Sequence, residues 1–161
     1  LSIRRQRQMC IRDRGKGEMK DWRNEMQVLP IGKGKKLCDG DDIAVLSIGP
    51  IGNEVIKAIE MVKEEGVSIA HYDMIYLKPL DEELLHEIGQ KYNRIITVEN
   101  GVIKGGFGSA VLEFMADNGY TPHVKRIGVP DAFIEHGSIP ELYQLCGMDA
   151  ESIAKQLKKE N

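Results

Sequence analysis

From residue 43 onward the apolar positions alternate between short continuous runs and helical stripes. Ile43–Ile48 (IAVLSI) is almost wholly apolar, the pattern of a strand buried on both faces, and Gly49-Pro50 ends it. Residues 52–65 place Val55, Ile56, Ile59 and Val62 on one stripe with charges opposite, which predicts a helix closed by Gly66. Residues 68–74 read as a second strand. Pro79-Leu80-Asp81 then opens a helix through Gln90, with Asp81 as N-cap and Leu84, Leu85 and Ile88 as its apolar stripe. Arg94–Glu99 (RIITVE), rich in β-branched residues, is a third strand. Residues 100–108 are a glycine-rich loop, 109–118 a helix, and His123–Ile127 a fourth strand. Ser138 caps a helix that begins Ile139-Pro140 and ends at Gly147, and Asp149 caps a last helix through Lys159.

Before this regular body the pattern is weaker. Residues 15–41 are rich in Gly, Lys and Asp. Leu29-Pro30-Ile31-Gly32-Lys33-Gly34 and Asp39-Gly40 are turn signals around one short strand near residues 35–38. Residues 1–14 (LSIRRQRQMCIRDR) have no apolar period, cap or turn signal. Met9-Cys10-Ile11-Arg12-Asp13 is similar to one reading frame of a transposon-based library adapter, so residues 1–14 are expected to be non-native. The division is therefore 1–14 foreign, 15–41 linker and opening strand, and 42–161 a domain. Strands alternating with helices predict an α/β domain with a mainly parallel sheet covered on both faces.

Composition narrows the class. A chain of 161 residues with 42% hydrophobic and 29% charged residues is that of one ordinary globular domain. No apolar run approaches the roughly 20 residues that span a bilayer. Seven basic against two acidic groups fall in residues 1–20, whereas the remainder holds 15 basic against 23 acidic, so the body is a poor nucleic-acid face. Cys10, Cys38 and Cys146 form no CxxC pair, which argues against a disulfide scaffold or zinc ribbon and for a reducing, cytoplasmic setting.

The strongest local signal is Gly101–Ser109 (GVIKGGFGS), between a strand and a helix. A helix start there could offer backbone N–H groups to an anion. Yet a P-loop from Gly101 needs Lys where Phe107 stands, and a dinucleotide loop from Gly106 needs glycine where Val111 stands. Gly105, Gly106 and Gly108 are better read as serving a tight turn and close helix–sheet packing. Glu99 ends a strand at the expected crevice and is either a general base or a cap for the neighbouring loop. His136, on a loop beside an acid and just before a helix, is the most interesting of the four histidines. His71 and His123 are expected to be packed or edge residues, His86 to be solvated, and no pair has metal-ligand spacing. Cys146 reads as a small core residue. No self-sufficient catalytic set emerges, which suggests a part of something larger.

A resemblance gives that idea content. The segments Leu29–Gly34 (LPIGKG), Leu77–Asp81 (LKPLD), Thr97–Asn100 (TVEN), Gly105–Val111 (GGFGSAV), Val129-Pro130-Asp131, Phe133–Gly137 (FIEHG) and Gly147–Ala150 (GMDA) resemble, in order, the C-terminal domain of the 1-deoxy-D-xylulose-5-phosphate synthase family. These are thiamine-diphosphate enzymes of the transketolase superfamily. The resemblance implies a three-layer domain with a five-stranded sheet, mostly parallel with one antiparallel strand. For the whole enzyme it implies condensation of pyruvate with glyceraldehyde 3-phosphate and loss of CO2, using thiamine diphosphate and Mg2+ in a homodimer.

The family's diphosphate–magnesium motif and activating glutamate belong to preceding domains, and no GDG occurs here. The fragment is thus expected to be inactive alone and to support the dimer and the active-site wall, with Glu99 and His136 as candidates for that wall. The family's linker carries Arg-Tyr-Pro-Arg-Gly. Arg14-Gly15 aligns with its last two residues, which implies a substrate-phosphate contact for Arg14, although Arg12-Asp13 stands where Tyr-Pro should. Alternatives from the same superfamily are the corresponding domain of a transketolase or of a 2-oxo acid dehydrogenase β-subunit. From other classes come a free-standing dimerisation or binding module and, on the basic arm alone, a nucleic-acid binder.

Overall fold

The structure, a computed structural model, describes residues 29–158. The proposed foreign segment, Arg14 and most of the linker lie outside these residues.

Five strands form one sheet in the order β1-β3-β2-β4-β5: β1 Lys35–Cys38, β2 Ile43–Ile48, β3 Ile69–Asp73, β4 Arg94–Val102 and β5 His123–Val129. β2, β3, β4 and β5 are mutually parallel, and only β1 runs antiparallel, beside β3. The helices are α1 Gly52–Val62, α2 Glu82–Lys91, α3 Phe107–Asp117, α4 Ile139–Leu145 and α5 Ala150–Leu157; a short 3-10 turn, Lys63–Glu65, follows α1.

Alternation along the central strands builds two cores. Ile43, Val45, Ile96 and Val98 point to one face, where Val55, Ala58 and Val62 of α1 and Ile153, Ala154 and Leu157 of α5 cover them. Ala44, Leu46, Tyr72 and Ile95 point to the other, under Leu85 and Ile88 of α2 and Val111 and Met115 of α3. Each fully buried Val, Leu, Ile or Met side chain among them contributes about 1.5–3 kcal/mol through burial. Two buried faces explain why β2 has no polar alternation.

The expected elements are present, with four adjustments. Ile56 is exposed and Ala58 takes its place in the α1 stripe, since positions 55, 58 and 62 share a helix face and 56 does not. β4 runs on to Val102, because β5 also continues and Val102 pairs with Val129. α3 begins at Phe107 rather than Ser109, because the Glu99 side chain binds its first amides. His86 is not a solvated helix residue. Its ring meets Phe114 edge-on at 4.9 Å and its Nδ1 lies 3.0 Å from the Tyr120 hydroxyl, so it joins α2 to α3.

Candidate functional site

The sheet order reverses about β2, with β3 on one side and β4 on the other. In open α/β sheets, ligands bind in the crevice at the carboxyl ends of strands at such a point. Glu99 stands there, paired in register with Ile48. It is buried, and both carboxylate oxygens are engaged: Phe107 N–H donates to Oε2 at 2.8 Å and Gly108 N–H to Oε1 at 2.9 Å. A negative group on the first amides of α3 is favourable both for the hydrogen bonds and for the helix dipole.

The glycines make room for this contact. A Cβ on Gly106 would stand 2.2 Å from Glu99 Oε2 and 2.4 Å from the Val102 carbonyl. A Cβ on Gly108 would stand 2.5 Å from Thr97 Oγ1 and 2.8 Å from Arg126 Cγ. Gly105 turns the chain at φ +69°. The turn is then tied to β5. Arg126 Nη1 donates to the Ile103 carbonyl at 3.1 Å and to Ser109 Oγ at 2.8 Å, and Ser109 Oγ accepts from Gly105 N–H at 3.0 Å.

Each Glu99 oxygen thus accepts one backbone N–H of the α3 start. The carboxylate serves as an internal anion for α3. His136 lies elsewhere along the same edge, exposed in the extended segment between β5 and α4, and no hydrogen bond joins it to Glu99. Beyond it, the Glu141 carboxylate accepts from both Ser138 N–H and Ser138 Oγ at the start of α4.

A pair that sequence reasoning did not connect lies on the α1 face. Ser47 Oγ and His71 Nε2 are 2.8 Å apart, both buried, on neighbouring strands. Burial pushes the His71 imidazole down to about 4, so it is neutral at pH 7. The available signal was a lone serine and a lone histidine, each inside an otherwise apolar strand. Asp81 is the N-cap that the sequence predicts, but it also has partners that sequence reasoning missed. It caps α2 through Leu84 N–H at 3.3 Å and also accepts from Gly34 N–H at 2.9 Å and Lys33 Nζ at 3.3 Å.

Among the described residues no three His, Cys, Asp or Glu side chains group as a metal-ligand set, and no helix is long and apolar enough to cross a membrane.

Residues 32–153 match the profile of the transketolase C-terminal domain. The chain belongs to the transketolase C-terminal domain family. Among curated members, it is 99% identical over 148 residues to the 1-deoxy-D-xylulose-5-phosphate synthase of Parabacteroides distasonis, a match that covers 92% of this chain and 23% of that protein. It is 58% identical over 147 residues to the synthase of Bacteroides fragilis, again covering 91% of this chain and 23% of the relative. This transketolase-type domain thus spans about a quarter of the length of these relatives. Among solved structures, one described as a split gene transketolase, inactive beta4 tetramer, superposes with a TM-score of 0.73 at 32% identity, over 80% of this chain and 42% of that one.

Proposed function

We propose that this chain is the C-terminal domain of a 1-deoxy-D-xylulose-5-phosphate synthase, and that it supports an active site built by the rest of the polypeptide. The observation that carries the reading is the 99% identity over 148 residues to such a synthase. The parent reaction condenses pyruvate with glyceraldehyde 3-phosphate and releases CO2. Thiamine diphosphate with Mg2+ supplies the carbanion chemistry when bound. The residues described here do not fit that group. The amides of α3 that could hold a phosphate are engaged by Glu99, and no carboxylate cluster is placed to hold the metal. No step of the reaction is therefore assigned to them.

On this reading the fragment has no synthase activity alone. The solved relative described as an inactive beta4 tetramer is consistent with this, since it too is a piece of a split transketolase. The partners are the preceding thiamine-diphosphate-binding domains of the same polypeptide and, in the parent, a second subunit of a homodimer in the cytoplasm. Glu99 and His136 then belong to the domain edge rather than to the reacting centre, and Arg14 remains a proposed phosphate contact.

The test is CO2 release from pyruvate in the presence of glyceraldehyde 3-phosphate, thiamine diphosphate and Mg2+, measured for this chain and for the full synthase polypeptide. Turnover is expected only from the latter. Turnover by the chain alone, or its absence from the full polypeptide, would overturn the reading. A raised KM for glyceraldehyde 3-phosphate in Arg14→Ala of the full polypeptide would keep Arg14 in the site; an unchanged KM would remove it.

A further inference from the structure

We infer that the ridge formed by Leu29, Ile31 and Leu77, at the carboxyl edge of the sheet, is the surface on which the preceding part of the synthase polypeptide docks. This inference rests on the functional reading above and names the contact that the reading requires.

Three observations converge on this edge. The first is exposed apolar area. Ile31 is the most exposed large apolar side chain among the described residues, at 78%, and Leu29 at 50% and Leu77 at 37% lie on the same pair of adjoining segments; Phe133, Leu145 and Met61 are exposed elsewhere. Isolated exposed leucines are ordinary, but several on one edge mark a contact surface.

The second is that the ridge is held in shape. The segment 29–34 is fastened to 77–83: Gly32 packs so closely on Pro79 that a Cβ would stand 2.7 Å from its Cγ, Gly34 N–H donates to Asp81, and Lys33 Nζ reaches both Asp81 and Glu83. Behind Leu77 the backbone is strained. Ile75 is the one non-glycine residue with positive φ, at +54°, among the described residues, and its N–H donates to Asp73 Oδ1 at 3.2 Å. A β-branched residue in that region is held there by its surroundings.

The third is the path of the chain. β1 starts at Lys35, opposite Asp73 at the carboxyl end of β3, so the polypeptide comes into the fold at this edge. About three quarters of the length of the matched synthases lies outside the matched region. Anything joined to Leu29 by a short tether meets the ridge at an effective concentration in roughly the millimolar range, so even a modest apolar contact closes.

The test is amide hydrogen exchange on this chain and on the full synthase polypeptide under the same conditions. Amides at 31–34 and 75–78 are expected to exchange at least tenfold more slowly in the full polypeptide, while those around Met61, at the opposite end of α1, keep their rates. In the full polypeptide, the pair Ile31→Asp and Leu77→Asp is expected to abolish that protection, whereas Met61→Asp leaves it in place. In the isolated chain all three substitutions, being at exposed sites, leave the melting temperature within a few degrees. Equal exchange at the ridge in both proteins would overturn the inference. So would protection that appears in the isolated chain only as its concentration rises, since the occupant would then be a second copy. The CO2 assay on the same samples separates the two proposals: a protected ridge in a polypeptide without synthase turnover would overturn the function and leave the docking surface standing.

Discussion

Gly106 exists as a glycine because Glu99 folds back against it: a Cβ there would stand 2.2 Å from the carboxylate oxygen that accepts the Phe107 N–H. A loop that resembles a phosphate cradle is therefore filled by the protein's own anion. Gly106→Ala is expected to displace the carboxylate and cost about 2–3 kcal/mol, the value of charged hydrogen bonds lost from a buried site. Glu99→Gln keeps one acceptor, but it sets an amide NH2 against the second N–H and loses the charge at the helix start, so it too is expected to cost about 2–3 kcal/mol. Urea denaturation midpoints of the two variants measure both effects. Equal stability of G106A and the parent would show that the carboxylate contact is dispensable.

The Ser47–His71 pair makes stability depend on pH. The folded value of His71 is pushed down to about 4 by burial, from the ordinary 6.5. The unfolded chain therefore binds a proton that the folded chain refuses between those values. Stability from this source is fully present above pH 6.5 and falls away as the pH drops towards 4. The total is about 3 kcal/mol at 1.36 kcal/mol per pH unit. His71→Gln, which carries no titrating ring, is expected to flatten this window in denaturation curves taken between pH 7 and 4.5. A window of the same depth in the variant would place its origin elsewhere.

Asp81 joins the lead-in segment to α2, so its loss is felt in both. Burial alone would raise its carboxyl, but hydrogen bonds from Gly34, Leu84 and Lys33 outweigh it and hold the group below its ordinary 3.8. Its contribution is thus present above that ordinary value and is lost as the pH falls through the lower folded value. Asp81→Ala is expected to cost about 2–3 kcal/mol, from a lost cap and an unpaired amide. Hydrogen exchange at Gly34 should quicken with it. An unchanged Gly34 rate would dissociate the cap from the lead-in segment.

Much of this was readable in the sequence, for identifiable reasons. β2 is legible because IAVLSI has no polar alternation, and α2 because Asp81 and its apolar stripe agree on one start. The α3 boundary was not, because it is set by a side chain eight residues earlier: Glu99 reaches Phe107 only once β4 and α3 are in place. The Ser47–His71 contact is hidden for a similar reason. Its partners are 24 residues apart and meet only through the parallel pairing of β2 with β3. Periodicity records which face a residue occupies, whereas polar partnerships depend on the register between strands.

Thr97 supplies a prediction of the opposite sign. Its Oγ1 is buried beneath Gly108 and has no hydrogen-bond partner among the described residues. Thr97→Val, of the same shape, removes a desolvated hydroxyl and is expected to leave stability unchanged or raise it by about 1 kcal/mol. Thermal denaturation of T97V checks this, and a clear loss of stability would mean the hydroxyl is satisfied after all.

The sheet order also fixes an order of assembly. β1 comes first along the chain, yet its only strand partner is β3, and Lys36 must wait for Tyr72 to be made before it can pair. Four residues, mostly solvent-facing, have too little to hold them as a strand beforehand. During synthesis β1 therefore has no strand partner until β3 has emerged. The first strand of the domain is thus completed by a strand more than thirty residues further along, and the segment from Leu29 is anchored at the sheet only through that pairing.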